Sequence, residues 1–124
     1  MATTNTVTEA SAGVTLYSFT ALADADSFDF PGEYATAKRI LFQVTGGTFN
    51  SSTVALVGSL NGTNYAPLYA TSSNITTGVV VAAAASAIAA NGNLWDVQPS
   101  RKLRLTVTGG TGTGITANVA IVTL

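Results

Sequence analysis

Residues 38–48 read Lys38-Arg39-Ile40-Leu41-Phe42-Gln43-Val44-Thr45-Gly46-Gly47-Thr48. Ile40, Phe42 and Val44 alternate with Leu41, Gln43 and Thr45, the period of two expected of a strand with one side on a core. Gly46-Gly47 then predicts a turn, and the chain runs out through Val54, Leu56 and Gly58, so the stretch is expected to form a β-hairpin. Residues 101–121 repeat the pattern. Leu103, Leu105 and Val107 alternate with Arg104, Thr106 and Thr108, Gly109-Gly110 follows, and Ile115, Ala117, Val119 and Ile121 run out. Val-Thr-Gly-Gly-Thr occurs at both places, at 44–48 and 107–111, each after a pair of basic residues. Two equivalent hairpins in two packed sheets are the expectation.

The rest of the chain fits the same architecture. Asn61-Gly62, flanked by apolar residues, predicts a third hairpin returning through Tyr65 to Tyr69. Val79-Val-Val81 favours a strand, and the Ala-rich run to Ala90 is read as strand too, because a short Ala segment is marginal as an isolated helix. A first strand is expected near Gly13 to Thr20. The acidic stretch Asp24 to Glu33, ending in Pro31-Gly32, is expected to be a loop with a short strand. Residues 1–15 carry Thr, Ala and Ser with one charge, Glu9, and are read as an arm. The predicted fold is therefore all-β: a single-domain antiparallel β-sandwich or jelly roll of about eight short strands over residues 16–124, with an extended N-terminal arm over 1–15.

Composition narrows the function. The 124 residues suffice for one core but not two. Charged residues make up 9% of the chain, against about 25% in an ordinary soluble domain. The net charge is −1. So little charge implies uncharged outer faces and association with other protein surfaces. Five basic residues matched by six acidic ones leave no positive field for a phosphate backbone, so nucleic acid is not an expected partner. No apolar stretch reaches the roughly 18 residues of a membrane helix, and the N-terminus lacks a signal-peptide pattern, so neither a membrane nor general secretion is expected.

Histidine and cysteine are both missing from the sequence, which removes imidazole acid/base chemistry, thiolate nucleophiles, disulfides and the usual zinc ligands. An enzyme is not expected, and no cofactor is. Among serine and threonine hydroxyls, only Lys38 or Lys102 could act as a base, and both flank strands, where solvated lysines are common. Asp24, Asp26, Asp29 and Glu33 could wrap a calcium ion, but they lack the ligand order of an EF-hand and read as a solvated loop or a patch for a basic surface. Gly112-Thr-Gly-Ile-Thr-Ala117 matches a dinucleotide fingerprint in form, yet it leads into strand-like alternation where that fingerprint needs a helix. Trp95, Tyr65, Tyr69, Tyr17 and Tyr34 could form a sugar platform or fill the core and anchor interfaces. Arg39, Lys102 and Arg104 fall on the strand phase opposite the core and are expected to project outward, where they could meet an acidic protein lattice.

Val57-Gly-Ser-Leu-Asn-Gly-Thr-Asn-Tyr65, a connector containing Trp95, and Arg101-Lys-Leu-Arg-Leu-Thr-Val-Thr-Gly-Gly110 before a final strand together resemble small β-sandwich proteins of tailed-phage virions. These are capsid decoration, or cement, proteins and modules of head fibres and tails, in which a Gly-Ser-Leu-Asp-Gly-Thr-Asn-Trp-like hairpin precedes an aromatic, Arg-rich strand. The resemblance covers about Ile40 to Leu124, with departures at Tyr65, where Trp is common, and in the Ala run. It implies a cement protein made in the host cytoplasm and bound to the capsid exterior, with the major capsid protein as its partner. It also implies a homotrimer in which the arm, with Thr3, Thr4, Asn5 and Val7, laps a neighbouring subunit. Arg39, Lys102, Arg104 and Trp95 are the other contacts implied. The alternative is a fibre, tail or carbohydrate-binding module that recognises glycans through Trp95 and the tyrosines.

Overall fold

A computed structural model describes residues 4–11, 13–72, 80–82, 84–85 and 94–123. The strands in chain order are β1 (Thr4–Ser11), β2 (Val14–Leu22), β3 (Ser27–Asp29), β4 (Arg39–Thr48), β5 (Thr53–Ser59), β6 (Ala66–Pro67), β7 (Tyr69–Ser72), β8 (Val80–Ala82), β9 (Ala84–Ala85), β10 (Leu94–Val97), β11 (Lys102–Thr108) and β12 (Thr113–Val122). There is no helix among the described residues. A seven-stranded sheet runs β1-β2-β12-β4-β10-β7-β8, and a five-stranded sheet runs β3-β11-β5-β6 with β9 also on β5. Every pairing is antiparallel. The fold is an all-β sandwich.

Alternation in the sequence becomes burial in the sandwich. Ile40, Phe42 and Val44 of β4 and Ala117, Val119 and Ile121 of β12 face Val54 and Leu56 of β5 and Leu103, Leu105 and Val107 of β11 in one continuous core. Each buried aliphatic or aromatic side chain contributes about 1.5–3 kcal/mol. Tyr17, Phe19, Phe28, Phe30 and Tyr34 form a cluster on one flank, with neighbouring rings 4.8–6.3 Å apart in edge-on or tilted packing.

Both Gly-Gly hairpins predicted from the sequence are corrected by the topology. β4 lies in the seven-stranded sheet and β5 in the other; β11 lies in the five-stranded sheet and β12 in the other. Each Val-Thr-Gly-Gly-Thr therefore leads into an arch that crosses the core, and the arches pair, β4 with β12 and β5 with β11. Alternation cannot tell a hairpin from an arch, because both keep the apolar phase on the core. The second glycine of each pair, Gly47 or Gly110, serves close approach rather than a two-residue turn. Gly47 has φ +127°, and a Cβ there would lie 2.5 Å from the Cα of Ile115. The arch after β4 is turned by Asn50 and Ser51, both with positive φ.

Other expectations fare differently. The Asn61-Gly62 hairpin is present, although its return strand is only Ala66–Pro67. Pro67 has no N–H to extend the ladder. The chain then crosses to the other sheet at β7. The described part of the Val79 to Ala90 run is strand, β8 and β9, while residues 79, 83 and 86–90 lie outside the described residues. Thr4–Ser11, read as part of an extended arm, is an extended strand paired along β2 at the edge of the sheet, with Thr4 opposite Thr20 and Glu9 opposite Thr15. Composition speaks for the segment alone, whereas β2 supplies a ready-made ladder for its backbone.

Candidate functional site

The acidic stretch is used internally. Asp24 Oδ1 accepts the Ser52 hydroxyl and the Gly110 N–H, each at 3.0 Å, and Ser52 Oγ accepts the Gly112 N–H at 2.8 Å. The Thr111 N–H donates to the Asn50 carbonyl, and the Asp24 N–H to that of Gly112. The arches and the acidic loop are thus latched together at one end of the sandwich. Asp26 is buried and accepts the Ala23 N–H at 2.9 Å. Gly112, the first glycine of the dinucleotide-like motif, belongs to this latch, and the motif continues into β12. No group of three or more acidic, histidine or cysteine side chains able to hold a metal occurs among the described residues.

Asp29 and Glu33 meet the basic side chains of β11 and its lead-in. Arg104 grips Asp29 with two nitrogens, Nε to Oδ1 and Nη2 to Oδ2, and its guanidinium carbon sits 3.9 Å above the Tyr65 ring centre. The Arg104 hydrogen bond holds the Asp29 carboxyl below the usual carboxylate range and raises Arg104 in return. Arg101 takes Glu33 in a bidentate pair at 3.0 Å, and Lys102 approaches the same carboxylate at 3.6 Å. Glu33 is likewise lowered, chiefly by its hydrogen bond to Arg101. On the opposite sheet, Arg39 pairs with Asp96 at 3.0 Å. Arg39, Lys102 and Arg104 do reach the surface, but each is occupied by a carboxylate of this chain. They also divide between the two sheets, so they form no common basic patch.

Trp95, Tyr17 and Tyr65 do not come together as an aromatic platform, and the Tyr69 side chain lies outside the described residues. Trp95 is 5% exposed and stacks on Phe42 with ring centres 5.3 Å apart, inside the core. Tyr17 is buried in the aromatic cluster, and Tyr65 is covered by Arg104. As a partner contact, Trp95 is therefore corrected to a core residue: Leu94 and Asp96, its neighbours in β10, take the outward phase. Thr4, Asn5 and Val7 stand in β1, where Asn5 and Val7 are in register with the core positions Phe19 and Tyr17. Thr3 lies outside the described residues.

What the residues do bring together is the outer face of the seven-stranded sheet. One row runs Leu16, Ala120, Leu41, Asp96 across β2, β12, β4 and β10, and the next runs Ser18, Asn118, Gln43, Leu94. Val14 and Val122 continue it toward Arg39. Leu94 is 40% exposed, and the other aliphatic and amide residues of these rows are half-buried. The face carries aliphatic, amide and hydroxyl groups, with the Arg39–Asp96 pair at its margin. Sequence reasoning missed these residues. The signal in the sequence was that Leu41 and Leu94 are apolar on the phase opposite the core, which strict one-faced alternation would make polar.

A second feature is an open groove of about 460 Å³ beside the Asn61-Gly62 hairpin, floored by Ala66, Pro67 and Leu68. Leu60 at its rim is 81% exposed. Its loop is held by Asn61 Oδ1, which accepts the N–H groups of Thr63 and Asn64, and by Arg101 Nη1, which donates to the Leu60 carbonyl at 2.8 Å. Comparison with protein-family models, with curated proteins and with solved structures found no match to this chain.

Proposed function

We propose that this protein is a non-enzymatic virion component, a capsid decoration protein that docks on the outer surface of a coat-protein lattice as a homo-oligomer and stabilises it. The observation that carries this reading is the outer face of the seven-stranded sheet, where Leu16, Leu41, Ala120, Leu94, Val14 and Val122 are half-covered or exposed in a single chain with one ion pair beside them. Apolar and amide-bearing faces of low charge suit a surface that another protein covers. The internal pairing of Arg39, Lys102 and Arg104 fits the same reading, since it leaves shape and apolar contact, rather than net charge, to determine the partner. A ligand that binds only the assembled lattice stabilises it by mass action, so no catalytic group is needed.

Glycan recognition is less well supported, because Trp95 and Tyr17 are in the core and Tyr65 is capped. The test is co-sedimentation with empty coat-protein shells. The protein should pellet with shells, and a Leu41→Lys, Ala120→Glu variant, which sets opposite charges at two paired outer positions, should stay folded and remain in the supernatant. Equal binding by that variant would remove the face from the mechanism.

A further inference from the structure

From the sheet edges we infer that a second copy of this chain adds to the open edge of β1, antiparallel strand to strand, joining two seven-stranded sheets. The edges of the sandwich are unequal. Among the described residues, the edges of the five-stranded sheet include β3, with three residues, and β6, with two; the far edge of the seven-stranded sheet is β8, whose described part is Val80–Ala82. β1 is an edge of eight residues. Short edges protect a sheet from pairing with other chains, as do lysine, proline and central bulges. β1 has neither lysine nor proline, and its register shift comes only at its end, between Glu9 and Ser11.

Self-pairing is favoured by register and charge. An antiparallel pairing centred on Val7 sets Thr6 opposite Thr8, Asn5 opposite Glu9 and Thr4 opposite Ala10 of the other copy. The only charge in the strand, Glu9, thus faces an amide residue rather than its own counterpart, and like charges directly opposite are what destabilise such ladders. At a net charge of −1, two copies repel little. The contact is isologous, so it closes at two chains. It differs from the three-chain assembly implied by the phage resemblance, and because its test uses the purified chain alone, it does not rest on the capsid reading.

Successive residues of an antiparallel strand direct their N–H and C=O groups to opposite sides. Of Thr6→Pro and Val7→Pro, one therefore removes a bond to β2 and the other a bond at the open edge. Sedimentation velocity at micromolar concentration should show two chains for the wild type. One of the two variants should sediment as a single chain while keeping the wild-type circular dichroism and its melting temperature measured at high dilution. A wild type that stays a single chain, an odd-numbered assembly, or a two-chain species unaffected by both prolines would overturn the inference.

Discussion

Ser52 is the residue through which the two arches and the acidic loop depend on one another, and its replacement by alanine has a calculable cost. The side chain is 0% exposed; its hydroxyl donates to Asp24 and accepts from the Gly112 N–H. Ser52→Ala removes little volume but leaves the buried Gly112 N–H without an acceptor, at a cost of about 1–3 kcal/mol. Losing the charge-assisted bond to Asp24 adds about 1 kcal/mol, since that carboxylate keeps the Gly110 N–H and is partly solvated. The sum is about 2–4 kcal/mol. For a domain of this size each kcal/mol lowers Tm by roughly 3–5 °C, so calorimetry should find a fall on the order of 10 °C. Asp24→Asn combined with Ser52→Ala should cost less than the two single losses added, by about 1 kcal/mol or more. A Ser52→Ala melting point within about 2 °C of wild type, or strictly additive losses, would refute the latch.

The adjacent glycines of the first repeat should behave oppositely. A Cβ at Gly46 would meet only open space, so Gly46→Ala should change stability by less than about 1 kcal/mol, whereas Gly47→Ala, forced against the Ile115 backbone at positive φ, should cost about 3 kcal/mol or more in denaturant unfolding. Trp95→Ala should lower stability by about 3–5 kcal/mol through loss of core packing; a well-folded variant at wild-type stability would return Trp95 to the surface. Burial, with the Tyr34 hydroxyl contact next, pushes the Tyr17 phenol up to about 12 from 10.0. Because the folded value is the higher one, this stabilisation is complete below about pH 10 and is lost as pH rises toward about 12, up to about 3 kcal/mol in all. Unfolding measured across that window should show the loss in wild type and a flatter profile in Tyr17→Phe.

The all-β sandwich could be read from Ile40, Phe42 and Val44 and from Leu103, Leu105 and Val107, because burial on one side imposes a period of two whatever the strand connects to. The connections could not be read. A crossing arch and a hairpin place the same residues inward, and they are distinguished by contacts between segments far apart in the chain, such as the β4–β12 pairing and the close passage of Gly47 against Ile115. The fate of the charges was hidden for the same reason: Asp29 and Arg104, or Glu33 and Arg101, meet through pairings across the sheet or between loops. Trp95 reads more readily as core or interface than as platform, and its neighbours on β10 set the phase that places it in the core. The apolar outer face was partly visible, since Leu41 sits between two core residues, but its extent depends on β2, β12, β4 and β10 lying side by side.

Electron cryomicroscopy of coat shells decorated with this protein would show which face of the sandwich meets the coat. Density for the sandwich is expected on the shell exterior, with Leu41, Ala120 and Leu94 turned against coat subunits. Density in which that face looks to solvent, or shells that remain bare at saturating protein, would contradict the proposed docking.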